Sequence, residues 1–507
     1  MSAKTMFRTT LSLERLRNPA VSILAAVALA LAFPKAGAAW LAPIGAAALF
    51  WVLGRFSWKA AFGLGWLAGV VFFCISFSWW THTIGHDVGP FWAGAAVFVS
   101  AAIDALAWGA AGALYAIALG RAPAPAAAVA GAAAFAVTDW LRSIGPGGIP
   151  FAQLGYTQAQ TPLRVFAAYG GAFGVTFVLC AIGAFAADAI RRRRVAAAAI
   201  FAGVLAVAWC ACWLAWPARH IPRPSIPVAA VQGNIVQTLK WRPGSLALAV
   251  QRYTTMTQRL MAFHPKLVVW PETVIAIQGE GLNDDPALES RFAALSRRLG
   301  ATLVVGSIEV RDASAYNALF FYEPHAPRAI YEKRQLVPFA EDFPARRLFF
   351  WLPFVGSLNG GFSAGTSDGV FTTTTGLFAA PLICWESAFA DRLHAQIARG
   401  AQFIIVSTDD AWFGRTSGPY QHAQISQLRA IENGEWLVRS AATGVSGIVA
   451  PDGTWQVRST MDEQTAVTGF IGPPVGSLFS RIGPTPVVLA FAVLYALIAI
   501  PKWRRSR

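Results

Sequence analysis

The chain has 507 residues, 55% hydrophobic and 13% charged, a balance too apolar for a soluble protein of this length and one that points to the membrane. Its net charge of +15 is unevenly placed: residues 221–475 hold 21 basic and 21 acidic side chains, so the whole excess lies in the apolar remainder and a nucleic-acid partner loses its main support. Five cysteines without paired CxxC spacing and seven scattered histidines offer neither a disulfide framework nor a metal site, and no metal or cofactor is expected.

Residues 1–18 are basic (Lys4, Arg8, Arg15, Arg17) and run into an apolar stretch from Pro19 to Phe33. This is the layout of a signal peptide, but a second apolar run follows at once with no cleavage site between them. It reads as a retained first membrane helix. Apolar segments then recur at 19–34, 38–54, 60–82, 91–119, 123–141, 163–189 and 195–216, with another at 484–501. Crossing a bilayer takes about 20 apolar residues, so about eight transmembrane helices are predicted. With the N-terminus in the cytoplasm, the inner segments hold 15 basic residues, among them Arg55, Lys59, Arg121 and the run Arg191 to Arg194. The short outer loops hold only Lys35, Arg142 and Arg164. That asymmetry places both termini inside and residues 221–475 outside. The organisation expected is a membrane domain over 1–220, an outer domain over 221–475, and a final helix with a basic tail over 476–507.

Within the membrane part, Asp104 lies in mid-segment. An acid there is costly, so it is either functional or hydrogen-bonded among the helices. Asp139 sits at a helix end as an interfacial anchor. The stretch Gly145-Pro146-Gly147-Gly148-Ile149-Pro150 is too rich in Gly and Pro for helix. With Leu154-Gly155-Tyr156 it predicts an outer loop facing the 221–475 region.

Residues 221–475 alternate between two periodicities. Apolar, β-branched runs at Ile226–Val231, Leu267–Trp270, Thr302–Ile308, Ala318–Tyr322, Leu377–Ile383, Phe403–Val406 and Gly447–Ala450 predict strands. Helical spacing appears at 245–263, 286–299, 388–399 and 418–433, and Pro451-Asp452-Gly453 is a turn. Strands alternating with helices over short connections make an α/β domain.

Three ionisable residues stand at the ends of such runs. Glu272 follows Leu267-Val268-Val269-Trp270-Pro271, Lys333 precedes Leu336-Val337-Pro338-Phe339, and Cys384 ends Pro381-Leu382-Ile383. Cys74, Cys180, Cys210 and Cys212 lie in long apolar segments, where a thiol behaves as a small hydrophobe. Cys384 alone ends a short strand in polar sequence. A thiol attacks only as thiolate. A carboxylate can take its proton, and an ammonium can steady the thiolate and an oxyanion. Glu, Lys and Cys together form a covalent acyl-transfer set.

These residues also carry a resemblance. Trp270-Pro271-Glu272, Lys333 with Val337-Pro338-Phe339, and Ile383-Cys384-Trp385-Glu386 resemble the Glu–Lys–Cys motifs of the nitrilase superfamily. Several helices before the domain, one after it, and Asp410-Ala411-Trp412-Phe413-Gly414 resemble one branch, the apolipoprotein N-acyltransferase family. Val231-Gln232-Gly233-Asn234 with Trp241, Glu341, Gln421-His422, Arg429-Ala430-Ile431-Glu432 and Pro150 with Gln153-Leu154-Gly155-Tyr156 are further matches. Two positions depart from the pattern: Trp385 stands where a Tyr is usual, and Asp409 precedes Asp410 where Asn-Asp is common.

The resemblance implies an α-helical membrane bundle plus a nitrilase-like four-layer αββα sandwich, embedded in the bacterial inner membrane with the catalytic domain periplasmic. It implies a phospholipid as acyl donor, a diacylated apolipoprotein N-terminus as acceptor, the bilayer itself as partner, and a monomer. Glu272 is then the general base, Cys384 the nucleophile, Lys333 the group that steadies thiolate and oxyanion, and Glu341 a support that positions Lys333 or a proton. Substrate contacts are expected from Trp241, Phe339, Trp385, Glu386, Trp412 and Phe413. The aromatic segment Phe343 to Phe354, with Phe349 and Trp351, predicts an arm that dips into the interface and admits acyl chains. Two other readings compete: a membrane-anchored amidase that passes its thioester to water, and a transporter with an accessory domain.

Overall fold

Two apolar periods, one helical and one extended, divide the chain into two units: residues 1–215 with 484–507, and residues 216–483. The computed structural model describes residues 3–145, 147–193, 195–240, 242–277, 280–338, 340–342 and 361–500, with side chains from Arg17 onward except His86 and Asp87.

The first unit is a bundle of apolar helices. Five are long and apolar enough to cross a membrane: Trp58–Ser76, Pro90–Arg121, Ala124–Leu141, Pro162–Arg192 and Val195–Ala215. The segments Arg17–Leu31, Leu41–Leu53 and Pro484–Ala499 are also apolar helices but shorter. No hydrophobic drive pulls helices together in lipid, so close packing depends on small residues. Gly65 and Gly69 serve that end: a Cβ on Gly65 would lie 2.6 Å from the Trp108 carbonyl oxygen, and one on Gly69 would lie 2.8 Å from the Ala105 Cβ. Val195–Ala215 has no fully buried residue: one stripe, with Phe201 stacked on Phe185, is half-buried and the rest of its apolar surface is exposed.

Asp104 is not a lone intramembrane acid. Arg142 Nη1 lies 3.3 Å from its Oδ2, and Arg142 Nε lies 2.9 Å from Asp139 Oδ1. Asp139, expected as an interfacial anchor, is instead 3% exposed and also accepts from Thr176 Oγ1 at 3.1 Å. The segment after it is irregular, as expected from its Gly and Pro, and its later part is packed in the interior. Phe151, Gln153, Leu154 and Tyr156 are all buried. Gly155 donates to Thr176 Oγ1 at 2.9 Å, and Arg142 Nη1 donates to the Ile149 carbonyl at 2.7 Å. Irregular backbone of this kind is tolerated in a membrane protein when protein groups satisfy it.

The second unit has twelve described strands: β1 (Ile226–Gln232), β2 (Leu267–Val269), β3 (Thr302–Arg311), β4 (Ser314–Tyr322), β5 (Ala329–Glu332), β6 (Phe371–Thr372), β7 (Phe378–Ile383), β8 (Phe403–Thr408), β9 (Trp436–Ala441), β10 (Gly447–Val449), β11 (Trp455–Arg458) and β12 (Thr465–Ile471). They form two six-stranded sheets, ordered β12-β1-β2-β3-β4-β5 and β11-β10-β9-β8-β7-β6. In each sheet three strands run parallel, β1-β2-β3 in one and β7-β8-β9 in the other. The parallel crossovers carry the helices Ser245–Arg259, Pro286–Leu299, Ala390–Ile397 and Gly418–Asn433.

The burial pattern defines the layers. One core cluster joins Val228, Val269, Val304 and Phe321 of the first sheet to Ile383, Ile405, Val438 and Ile448 of the second, so the sheets pack face to face. A second cluster sets the outer face of the first sheet, with Val268 and Val305, against Tyr253, Phe292 and Leu295 of its helices. A third sets Leu382, Ile404 and Leu437 against Leu393 and Ala430. The result is helix, sheet, sheet, helix, the αββα sandwich expected. Strands buried on both faces read as unbroken apolar runs, which is why β2, β7 and β8 were legible.

Candidate active site

The predicted residues stand just past the carboxyl ends of strands, two of them parallel strands and one, β5, antiparallel to its neighbour. Cys384 directly follows β7, Lys333 directly follows β5, and Glu272 lies three residues past β2. Carboxyl ends of strands leave backbone and side chains free to build a site. Cys384 turns the chain sharply: its φ is 49°, and a short 3-10 turn, Cys384–Ala388, begins on it. A left-handed φ costs a non-glycine residue energy and is held only where the surroundings over-determine it.

Those surroundings are supplied by Glu386. Its side chain is fully buried, and its Oε1 accepts from the backbone N–H groups of Arg334 at 2.7 Å and Gln335 at 3.1 Å. Oε2 accepts from the Ile383 N–H at 2.8 Å, and the Tyr331 hydroxyl lies 3.1 and 3.0 Å from the two oxygens. Glu386 therefore staples the Lys333 segment to the Cys384 turn. The structure sets this residue, expected to contact substrate, among protein donors on both oxygens.

Lys333 is 1% exposed, and its Nζ donates to Glu272 Oε1 at 3.0 Å and to Glu341 Oε1 at 2.8 Å. Asn317, in the middle of β4, donates through Nδ2 to both of those oxygens, at 2.7 Å and 2.9 Å. Glu272 Oε2 accepts from the Asp409 backbone N–H at 2.8 Å, and Glu341 Oε2 from that of Val337 at 2.8 Å. The sequence reading missed Asn317. Its signal was a lone amide inside an apolar strand, which needs buried partners.

The electrostatics follow from burial and pairing. Burial works to raise the Glu272 carboxyl, but the Lys333 ammonium and two other donors, the Asp409 N–H and the Asn317 amide, outweigh it and hold it below its ordinary range. Burial works to lower Lys333, and the Glu272 and Glu341 carboxylates outweigh that and raise it well above. Burial pushes the Cys384 thiol well up, the Glu272 charge adds to this, and Lys333 opposes it. The resting set is carboxylate, ammonium and thiol. Such a set can accept the thiol proton on the carboxylate and hold a negative oxygen beside the ammonium.

Behind Cys384 lies a second buried network. The Cys384 carbonyl accepts from Ser387 Oγ at 2.8 Å and lies 3.1 Å from His422 Nε2. His422 Nδ1 lies 2.9 Å from Asp410 Oδ1, and Arg439 Nη2 donates to Asp410 Oδ2 at 2.7 Å. Burial and the Arg439 cation lower His422, so the imidazole is neutral. Burial would raise Asp410, but Arg439 and His422 bring it down to about 2.

The aromatic candidates separate. Phe413 is buried and packs edge-on against His422 with ring centroids 6.0 Å apart, and Trp385 is buried with its ring 6.0 Å from that of Phe389. Trp412 is 40% exposed and available to a ligand. Trp241, Phe339, Phe349 and Trp351, with the whole 343–354 arm, lie outside the described residues. Among the described residues no group of three or more His, Cys, Asp or Glu could hold a metal ion.

A Glu–Lys–Cys set at the strand ends of an αββα sandwich defines the carbon-nitrogen hydrolase class, and the Carbon-nitrogen hydrolase family description matches residues 227–471. The description Apolipoprotein N-acyltransferase N-terminal domain matches residues 25–186. A curated apolipoprotein N-acyltransferase of Geobacter metallireducens is 30% identical, with 97% of this chain and 96% of that protein covered. One of Ralstonia nicotianae is 33% identical, covering 88% and 84%. The chain belongs to the apolipoprotein N-acyltransferase family. Among solved structures, a CN-hydrolase superfamily protein of Xanthomonas campestris is 16% identical with a TM-score of 0.37, over 55% of this chain and 99% of that one.

Proposed function

We propose that the chain is an acyltransferase that moves an acyl chain from a membrane phospholipid to the α-amine of the N-terminal diacylglyceryl-cysteine of apolipoproteins. The observation that carries the mechanism is the buried Lys333–Glu272 contact of 3.0 Å at the strand ends that also present Cys384. Glu272 takes the Cys384 proton, and the thiolate attacks the ester carbonyl carbon. Lys333, with the backbone N–H beside Cys384, stabilises the oxyanion. The C–O bond breaks, the leaving alkoxide takes the proton from Glu272, and lysophospholipid departs from a thioester. The acceptor amine then attacks the thioester, Glu272 takes its proton, and the C–S bond breaks to return the thiolate, which Glu272 reprotonates. Glu341 and Asn317 hold Lys333 and Glu272 in place. Exposed Trp412, with Trp241, Phe339, Phe349 and Trp351, contacts the lipid.

The sequence asymmetry of charge supports the rest of the reading. Eight helices cross the bacterial inner membrane, seven within 1–220 and one within 476–507. Both termini are cytoplasmic, and the catalytic domain over 221–475 is periplasmic.

The test is incubation of the full chain with acyl-labelled phospholipid, then with a diacylated cysteine peptide. Label should be trapped as a thioester on wild type but not on Cys384→Ser, and should then pass to the peptide amine. Label released only as free fatty acid would sink this reading and favour the amidase.

A further inference from the structure

Lys240 ends the single helical turn Gln237–Lys240, and its side chain turns inward, leaving the residue 9% exposed. Its Nζ lies 2.6 Å from Asp409 Oδ2 and 2.5 Å from Thr273 Oγ1. Thr273 directly follows Glu272 and holds a left-handed φ of 44°. Asp409 directly follows β8, and its backbone N–H is the donor to Glu272 Oε2. Asp409 Oδ1 accepts from the Ala411 N–H at 3.2 Å. One ammonium therefore ties together two backbone segments that hold Glu272. It also neutralises a carboxylate beside it.

We propose that Lys240 and Asp409 are a positioning pair for the general base: they fix the Asp409 N–H on Glu272 and set the local charge against which Glu272 gains and loses the Cys384 proton. The proposal rests on Glu272 acting as that base.

The neighbouring charges leave room for such an effect. Glu272 faces Lys333, Asn317 and the Asp409 backbone, and Cys384 feels its charge. Glu341 shares Lys333 with it. Asp409 faces Lys240 and Glu272, and the Tyr253 hydroxyl on the helix Ser245–Arg259 feels Asp409 and Arg252. Asp410 is committed elsewhere, to Thr408, His422 and Arg439. Around the base stand the carboxylates of Glu341 and Asp409 and the ammonium groups of Lys333 and Lys240. Without Lys240 the negative charge on Asp409 acts on Glu272 uncompensated. An Asn at 409 could accept from Lys240 but would bring no charge. This chain carries a carboxylate there and matches it with Lys240.

The test uses the full chain in detergent and reads single-turnover formation of the Cys384 thioester from labelled phospholipid against pH. The acidic limb reports ionisation of Glu272. Lys240→Met should move its midpoint up by about 1 in pH, because a like charge disfavours a second carboxylate. Asp409→Asn should move it down by a similar amount, because Lys240 is then unopposed. The double variant should return close to wild type, and Lys240→Arg should leave the midpoint in place. A scaffold-only role lowers rates without moving midpoints. Unmoved midpoints, or shifts of the same sign in both single variants, overturn the proposal. Asp409→Asn carries its own sign, so the test survives if Lys240→Met does not fold. Thioester formed by Glu272→Gln at the wild-type rate would overturn the base assignment itself. Thioester lost in Glu272→Gln with unmoved midpoints in the pair variants overturns the pair alone.

Discussion

Asn317 Nδ2 lies 2.7 Å from Glu272 Oε1 and, through the same nitrogen, 2.9 Å from Glu341 Oε1. Two carboxylates that would repel each other thus share one amide and one ammonium. Asn317 is fixed in turn by the ladder, where its carbonyl accepts from the Lys333 N–H at 2.8 Å. Asn317→Leu should remove a hydrogen bond to a charged group, about 1.5–3 kcal/mol, and slow thioester formation by roughly 10- to 100-fold. Single-turnover labelling checks this. A rate within twofold of wild type would show that the amide does not hold the carboxylates.

Glu386→Gln tests the staple. Four donors, from Arg334, Gln335, Ile383 and Tyr331, converge on its two oxygens, and an amide would turn a donor toward some of them. A buried unsatisfied or opposed donor costs about 1–3 kcal/mol. The variant should melt at a lower temperature and lose thioester formation together, because the same bonds hold the Cys384 turn. Full activity in a destabilised variant would separate the staple from the Cys384 turn.

Stability should fall in two steps with acid. Folded His422 is held below the ordinary 6.5, so its contribution is complete above 6.5 and is lost as pH falls below it, where the unfolded chain binds the proton first. Folded Asp410 lies at about 2 against an ordinary 3.8, so a further contribution of about 2 kcal/mol is present above 3.8 and is lost as pH falls toward 2. Denaturant midpoints of the solubilised protein across pH 8 to 2 measure both. His422→Gln should remove the first step and keep the second.

Arg142→Leu would leave Asp104 and Asp139 buried together without their cation and free the Ile149 carbonyl. Removing one partner of a buried ion pair costs about 3–5 kcal/mol. A large drop in thermal stability in detergent is expected, and the double variant Arg142→Leu/Asp104→Asn should recover part of it. No change in melting would mean the cluster does not hold the bundle.

Much of this protein was legible as sequence because the informative signals are local. A strand buried on both faces must be apolar throughout, so β2, β7 and β8 announced themselves, and a charged or nucleophilic residue at their ends stood out. Lipid demands long apolar helices, and the charge asymmetry needs only counting. Strands β5, β6, β9, β11 and β12 escaped because they are short or mix polar residues into the run; β12 also owes its state to β1, far along the chain. β9 carries the fully buried Arg439, a residue that sequence alone assigns to a surface and that Asp410, 2.7 Å away, with the Val445 carbonyl and Ser426, makes tenable.

The same division holds at the site. Sequence alone indicated the membrane class and the α/β class of the second unit, and singled out Glu272, Lys333 and Cys384 as candidates, because each stands beside a short apolar run that a local reading can see. Tertiary structure decided who touches whom: that Asn317 joins two carboxylates, that Glu386 braces the turn rather than facing outward, and that Lys240 answers Asp409. Those contacts link residues 24 to 169 positions apart. Only folding brings such groups within hydrogen-bonding distance, and burial then turns each pairing from optional to obligatory.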